Sequence, residues 1–339
     1  MTRFLELSPE ERKLLIGQTG IRTGMSEKAI EKDWWVTLVL KALFTLPMGS
    51  HFIFKGGTSL SKAWKIIERF SEDIDIALAP EAFGKQYIKN PTSSYVKSLK
   101  RKGCAYTSTI IKDALQAELI KIGVPENMIA VEAEEVRPDI PDKDPQSLFV
   151  NYASMYDPNP YIADRVKIEF SVRSLKEPFA PVQIQSIISE TMPDSDYTEE
   201  PFTVTAVEPR KTFLEKVFLL HEKFQLIGDG PMIGERQSRH FSDLVKMAKT
   251  PIERAAFEDR AFYNVLLEHR KYYIGLKGID YDKMQMSDLS FVPPENLIET
   301  FRKDYAEMLS EMIYQTGPPD FDSLIEQLIM LNERFKGQK

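Results

Sequence analysis

Between His51 and Leu78 the hydrophobic pattern changes period twice, and a pair of glycines marks the first change. "HFIFK" is a short apolar run of the kind that makes a buried strand. Gly56 and Gly57 follow it. From Thr58 onward, Leu60, Ala63, Trp64 and Ile67 recur at the spacing of an amphipathic helix. "DIDIAL" then alternates, which predicts a second strand. The unit expected is strand, glycine turn, helix, strand.

Two features of this unit bear chemistry. On a strand Asp73 and Asp75 point to the same face, leaving Ile74 and Ile76 for the core. Two adjacent carboxylates repel unless a cation sits between them. Magnesium takes oxygen ligands and keeps waters alongside one or two carboxylates and substrate phosphates. The plain alternative is an exposed strand edge with two acids. The glycine turn has two readings as well. Backbone N–H groups at Gly56 and Gly57, feeding a helix N-terminus, make an anion site. Thr58 and Ser59 would add hydroxyl donors, and Lys62 lies one turn on, on their face of the helix. Alternatively Thr58 and Ser59 simply cap the helix. The turn is neither a Walker P-loop nor a G-x-G-x-x-G fingerprint. An anion site and a carboxylate pair one helix apart describe one bound magnesium–triphosphate.

Further along, "TGMSEKAIEKDWWVTLVLKALFTL" has helical spacing, with Ile30, Trp34 and Leu38 to one side. "SYVKSLKRKG" reads as an exposed basic helix or loop, "TSTIIKDALQAELIKIG" as a helix, "MIAVEAEEV" as a strand and "RPDIPDKDPQ" as a surface loop. "DRVKIEFSVR" is a clear alternating strand. Val166, Ile168 and Phe170 take one face, and Arg165, Lys167 and Glu169 the other. Paired beside "DIDIAL", it would bring Glu169 in as a third carboxylate, with Lys167 near the phosphates; a charged outer face on an edge strand is the alternative. After Pro209 the chain is helical, through "PIERAAFEDRAFYNVLLEHRKYY" and "PPENLIETFRKDYAEMLSEMIYQ" to "DSLIEQLIMLNERF". In "TFLEKVFLLHEKF" the buried stripe is Phe213, Val217, Leu220 and Phe224, so Glu215 and Lys216 either project into a cleft or lie on a solvated face. In "SRHFSDLVKMA" Arg239 and Asp243 are i, i+4 neighbours, a spacing whose default is a structural salt bridge; Arg239 as a nucleotide-binding residue is the other reading. The expected domains are 1–205, with strands and N-terminal helices, and a helical 206–339: an α+β chain.

Composition narrows the chemistry. The 339 residues include one cysteine, Cys104, and four histidines, so neither a disulfide framework nor a zinc-ligand spacing can be assembled. A metal here should be a hard cation held by carboxylates. The lone cysteine fits a reducing cytoplasm, which is the expected compartment; the N-terminal residues scatter charge with no signal-peptide core, and no apolar run is long enough for a membrane span. The net charge of −7 argues against a general nucleic-acid coat. Two local basic islands, 97–103 and 268–278, either track phosphates, with Tyr272 or Tyr273 stacking a base, or form solvated surface.

Taken together, "FKGGTSLSKAW", "RFSEDIDIAL", "RVKIEF", "TFLEKVFLLHE" and "RHFSDLVKMA" resemble, in order, the motifs of the AbiEii/AbiGii abortive-infection toxins, nucleotidyltransferases of the DNA polymerase β-like superfamily. The resemblance runs from about residue 52 to 248. It implies a mixed-sheet nucleotidyltransferase domain, a following helical domain and an active cleft between them. It implies that Asp73 and Asp75 bind Mg2+ and the incoming nucleoside triphosphate, and that Gly57, Thr58 and Ser59 hold its β/γ-phosphates with Lys62 in support. Lys216 would be a catalytic or phosphate-binding lysine, Asp243 the aspartate of the last motif and Glu169 the third carboxylate. The separation of Gly57 from Asp73 is slightly longer than in many polymerase β-like enzymes, though usual for this toxin group.

The activity this implies is nucleotidyl transfer: an acceptor hydroxyl attacks the α-phosphate of a nucleoside triphosphate and expels pyrophosphate. A two-metal Mg2+ site would clamp the attacking and leaving oxygens. The family context points to RNA, namely the tRNA 3' end, as acceptor, and to a cognate antitoxin protein as partner. The rivals are nucleotidylation of a protein or small-molecule hydroxyl by the same site, and a catalytically silent binding module.

Overall fold

The structure, a computed structural model, describes residues 3–158, 162–226, 236–314 and 317–337. The chain divides into two compact units, one made of Met1–Trp64 and Phe70–Val207, the other of Lys65–Arg69 and Glu208–Lys339.

The first unit is α+β. Helices α1 (Arg3–Glu6), α2 (Pro9–Thr23) and α3 (Glu27–Thr45) precede β1 (Phe52–Lys55). The glycine turn opens α4 (Gly56–Thr58), which runs straight into a π-helical turn, Ser59–Ala63. Then come β2 (Ile74–Leu78), α5 (Ser93–Tyr106), α6 (Lys112–Lys121), β3 (Ile129–Ala133), β4 (Gln146–Tyr152), β5 (Arg165–Ser171), β6 (Phe179–Ile184), α7 (Ile187–Thr191) and β7 (Phe202–Val207). The strands form one mixed sheet in the order β3-β4-β5-β2-β1-β7-β6. β2 is antiparallel to β1 and parallel to β5, and β1 is parallel to β7.

The two faces of the sheet differ in kind. Phe52, Phe54, Ile74, Ile76, Leu148, Val150, Ile168 and Phe170 are all buried on one face. α3 packs on β5 and β7, and its Trp35 stacks on Tyr152 of β4 with ring centroids 4.8 Å apart. Burial of that row fixes register, because a slip by one residue would turn every apolar side chain outward. The alternate residues are thereby held on the opposite, half-exposed face. Farther along that second face Ile53, Ala77 and Val207 close into a small buried cluster.

The helix after the glycines is shorter than its apolar spacing predicts. It stops at Ala63, and Lys65 takes a left-handed φ of 55°. Ile67 is buried all the same, as part of Lys65–Arg69 in the second unit. The 0, 3, 4, 7 pattern is real as a burial pattern but joins residues of two compact bodies.

In the second unit the elements are α8 (Pro209–Leu226), α9 (Arg239–Ala248), α10 (Pro251–Glu258), α11 (Arg260–Tyr273), α12 (Ile298–Glu311) and α13 (Phe321–Lys336). The 251–273 segment is two helices because Asp259 interrupts it, its side chain accepting from Phe262 N to start α11. The 293–315 segment gives α12; its last residue, Gln315, lies outside the described residues. Aromatic pairs such as Phe241–Phe301 and Phe257–Phe335 fill this core. No helix among the described residues is long and apolar enough to cross a membrane.

Candidate active site

Asp75 lies opposite Lys55 of β1 on one side and Glu169 of β5 on the other. Glu169 in turn lies opposite Ser147 of β4. Paired residues share a face, so Lys55, Asp75, Glu169 and Ser147 form a polar row across four strands of the half-exposed face. Asp73, two residues before Asp75, belongs to the same face at the entry to β2. Lys167, two before Glu169, feels the negative field of Glu169, Asp73 and Asp75 together. The strand pairing on which a third carboxylate depended is therefore present.

The glycine turn is built against this row. Gly56 has φ +78°, a backbone that only glycine adopts readily. A Cβ on it would stand 2.0 Å from Asp75 Oδ2. The turn and the carboxylate are thus in contact. Thr58 and Ser59 neither point their hydroxyls outward nor cap the helix, whose N-cap is Lys55. Thr58, 1% exposed, donates from Oγ1 to the Asp73 carbonyl at 2.5 Å and lies 2.8 Å from Ser71 Oγ. Ser59 is fully buried and donates to the Gly56 carbonyl at 2.9 Å. Their hydroxyls fasten the turn to the entry of β2 and leave anion contacts to the backbone of Gly56 and Gly57.

Lys62 is a second correction. Its ammonium is buried 2.7 Å from Asp33 Oδ1 of α3 and donates to the Gln185 carbonyl at 3.2 Å. Asp33 accepts the Ile187 N–H with its other oxygen. Lys62 thus anchors the π turn to α3 and α7. The sequence could not show this, because its partner lies on another element.

Glu169 is turned toward Lys167, with Nζ and Oε1 2.5 Å apart. Burial works to lower the Lys167 pKa, but the Glu169 ion pair and the two aspartates outweigh it, so the ammonium titrates above its ordinary range. Among the described residues no three Asp, Glu, His or Cys side chains are arranged to hold a metal. Glu169 is engaged with Lys167 here, on the same face as the two aspartates. Asp73 and Asp75 form a two-carboxylate set of hard oxygens suited to Mg2+, with Asp75 seated on a turn from which Cβ is excluded.

The second unit holds Lys216 and Asp243 in one buried cluster. Asp243, fully buried, is gripped by Arg69 (Nε–Oδ1 2.8 Å, Nη2–Oδ2 2.9 Å) and by Lys216 Nζ at 2.9 Å from Oδ2. Lys216 Nζ is also 3.2 Å from His240 Nδ1. Burial alone would raise the Asp243 pKa, but Arg69 and Lys216 hold it far below the usual carboxylate range. Burial lowers the pKa of Lys216, more than Asp243 restores it. Lys216 is therefore neither solvated nor on a bare face. The salt bridge expected from the spacing of Arg239 and Asp243 is made instead by Arg69 and Lys216, and Arg239 is half-exposed. Tyr273 is buried and stacked on His269 at 4.4 Å, which withdraws it as a base-stacking residue.

Two residues here went unassigned in the sequence reading. Lys55 sits on the carboxylate face, half-buried, its Nζ donating to Ser174 Oγ at 2.8 Å. Its signal was its place immediately before the glycines. Arg69 stands in "RFSEDIDIAL" four residues before Asp73, but nothing local tells that it turns to Asp243.

The model of the nucleotidyl transferase AbiEii toxin family, of type IV toxin–antitoxin systems, matches residues 38–327. The chain belongs to this family. It is accordingly a nucleotidyltransferase of the toxin–antitoxin class. The matched span holds the glycine turn, both aspartates, Glu169, Lys216 and Asp243. Among solved structures the chain is similar to JHP933 from Helicobacter pylori, at 15% identity over 92% of this chain and 94% of that one, with a TM-score of 0.44. It is also similar to a putative nucleotidyltransferase from H. pylori, at 14% identity over 92% and 96% of the two chains and the same TM-score. No curated protein matches the sequence.

Proposed function

We propose that this AbiEii-family enzyme transfers NMP from a nucleoside triphosphate to an RNA hydroxyl, the tRNA 3' end, in a magnesium-dependent reaction, and that a cognate antitoxin restrains it. The observation that carries the reading is the contact between the glycine turn and Asp75 on the face that also bears Asp73 and Glu169. Asp73 and Asp75 would hold Mg2+, which supplies charge neutralisation on the triphosphate when bound. The Gly56–Gly57 backbone approaches the phosphates as closely as the missing side chains allow. Lys55 and Lys167 add positive charge where the pyrophosphate leaves. Glu169, on the face of Asp75 and paired with Lys167, would accept the proton of the attacking hydroxyl. The reaction would take place in the cytoplasm, a reducing compartment that the lone cysteine fits.

The test is label transfer. Purified enzyme receives each α-labelled triphosphate with Mg2+ and either total tRNA or cell protein. Label on tRNA that terminal digestion releases supports the proposal. Label on protein alone would remove the RNA acceptor and leave the nucleotidyltransferase.

A further inference from the structure

Residues 82–112 contain seven lysines and arginines and no aspartate or glutamate, in a chain whose net charge is −7. The fold gathers most of these cations on and beside α5. Leu99, Gly103 and Cys104 form its buried side, while Lys97, Arg101 and Lys102 are exposed, as is Lys89 just before the helix. Among the described residues the cations of this stretch with an ion pair are Lys100, 2.8 Å from Asp142, and Lys112, 3.1 Å from its neighbour Asp113. Lys97 and Arg101, one turn apart, form no ion pair among the described residues, although Asp142 feels the field of Lys97 as well as of Lys100, and Lys85 lies over the ring of Tyr95 at 5.2 Å.

This surface is fastened to the candidate site. Gly103 is packed so closely on Val172, just past the end of β5, that a Cβ there would come within 2.3 Å of it. Tyr87 Oη lies 2.9 Å from the Val172 carbonyl and 2.7 Å from that of Ser174. Ser174 Oγ accepts from Lys55, the cation opposite Asp75. A continuous run of contacts thus joins the basic surface to the polar row through 172–174.

We infer that the exposed face of α5, with the segment leading into it, is where the phosphodiester backbone of the acceptor RNA docks. The inference rests on the nucleotidyl-transfer reading of the carboxylate face and adds the acceptor's path to it. Unpaired cations on a rigid helix bind a polyanion chiefly by counterion release, which is sequence-independent and salt-dependent. An acceptor shared by many RNAs needs recognition of that kind, and the junction at 172–174 sets the surface at the site's rim.

The experiment measures tRNA binding to the full chain, without triphosphate, across a salt series. The neutral variant K97Q/R101Q/K102Q is compared with the charge-keeping variant K97R/R101K/K102R. Losing three phosphate contacts should weaken binding on the order of a hundredfold at 0.1 M salt and flatten the log–log salt slope by about 2–3. The charge-keeping variant should bind like wild type, and both should retain wild-type far-UV circular dichroism. A loss below about tenfold or an unchanged slope in the neutral variant would overturn the inference, as it would if the face serves an acidic protein. Label transfer separates the two failures. Wild type that labels tRNA while the neutral variant binds RNA normally leaves the proposed function standing, whereas wild type that labels no acceptor removes that function by itself.

Discussion

Replacing Gly56 by alanine puts a methyl group where the structure holds the Asp75 carboxylate. The added Cβ would stand 2.0 Å from Oδ2 and 2.8 Å from Cγ, against an ordinary contact of 3.4 Å or more. The carboxylate must therefore retreat by about 1.4 Å, or the turn must move away from β2 by as much. A left-handed backbone also costs a Cβ-bearing residue about 1–2 kcal/mol, which lowers stability without unfolding a domain of this size. A displacement of about 1 Å in a catalytic group costs on the order of a hundredfold in rate, or about 2.7 kcal/mol in the barrier. We expect G56A to fold, to lose about 1–2 kcal/mol in urea denaturation, and to lose about two orders of magnitude in kcat for label transfer. A folded G56A with kcat within about threefold of wild type would refute the reasoning, because the carboxylate then tolerates a shift of that size.

Lys62→Met should leave the Asp33 carboxylate buried without its cation and cost about 3–5 kcal/mol in denaturation, and K62M/D33L should recover part of it. Asp243→Asn should cost a similar amount by breaking the grip of Arg69 and Lys216. Because those cations depress the Asp243 pKa, its contribution is complete above the unfolded value near 4 and declines as pH falls below it. Urea stability of wild type and D243N should therefore differ by a constant amount from pH 8 to 5 and converge in stronger acid. Lys167 has a raised pKa, so its contribution holds below about 10.4 and is lost as pH rises through the folded value. An NMR titration of its ammonium should show that elevation and its loss in E169Q. Lys55→Met should raise the Kd for a non-hydrolysable triphosphate about tenfold, the effect of one charge-assisted contact, whereas Ser174→Ala should not.

The residues that read correctly in the sequence carry their partners within a strand or a turn. Asp73 and Asp75 share a face by period two, and "KIEF" is visible by its alternation. Their pairing across β2 and β5 followed from one assumption about strand order that the register satisfies. Other strands were hidden. β6 carries Pro181 in an edge strand, where the missing N–H does no harm, and β4 follows a proline- and aspartate-rich loop that masks its start. Side-chain direction was the least legible feature. Lys62 by its spacing, and Thr58 and Ser59 by their place at a helix start, read as phosphate donors or, for the two hydroxyls, as caps, yet each is drawn inward by another partner: Asp33, the Asp73 carbonyl and the Gly56 carbonyl. Asp243 likewise had a local candidate in Arg239 but takes Arg69, 174 residues earlier. Spacing predicts which face a residue occupies, and burial of charge then selects partners that spacing cannot see.

The central claim is that Asp73 and Asp75 hold the metal–triphosphate against the glycine turn. Crystals grown with Mn2+ in place of Mg2+ and a non-hydrolysable triphosphate test it directly, since manganese scatters anomalously. The account predicts an anomalous peak within about 2.0–2.3 Å of oxygens from both aspartates, with the β/γ-phosphates over the Gly56–Gly57 backbone. A peak elsewhere in the molecule, with neither aspartate among its ligands, would contradict it.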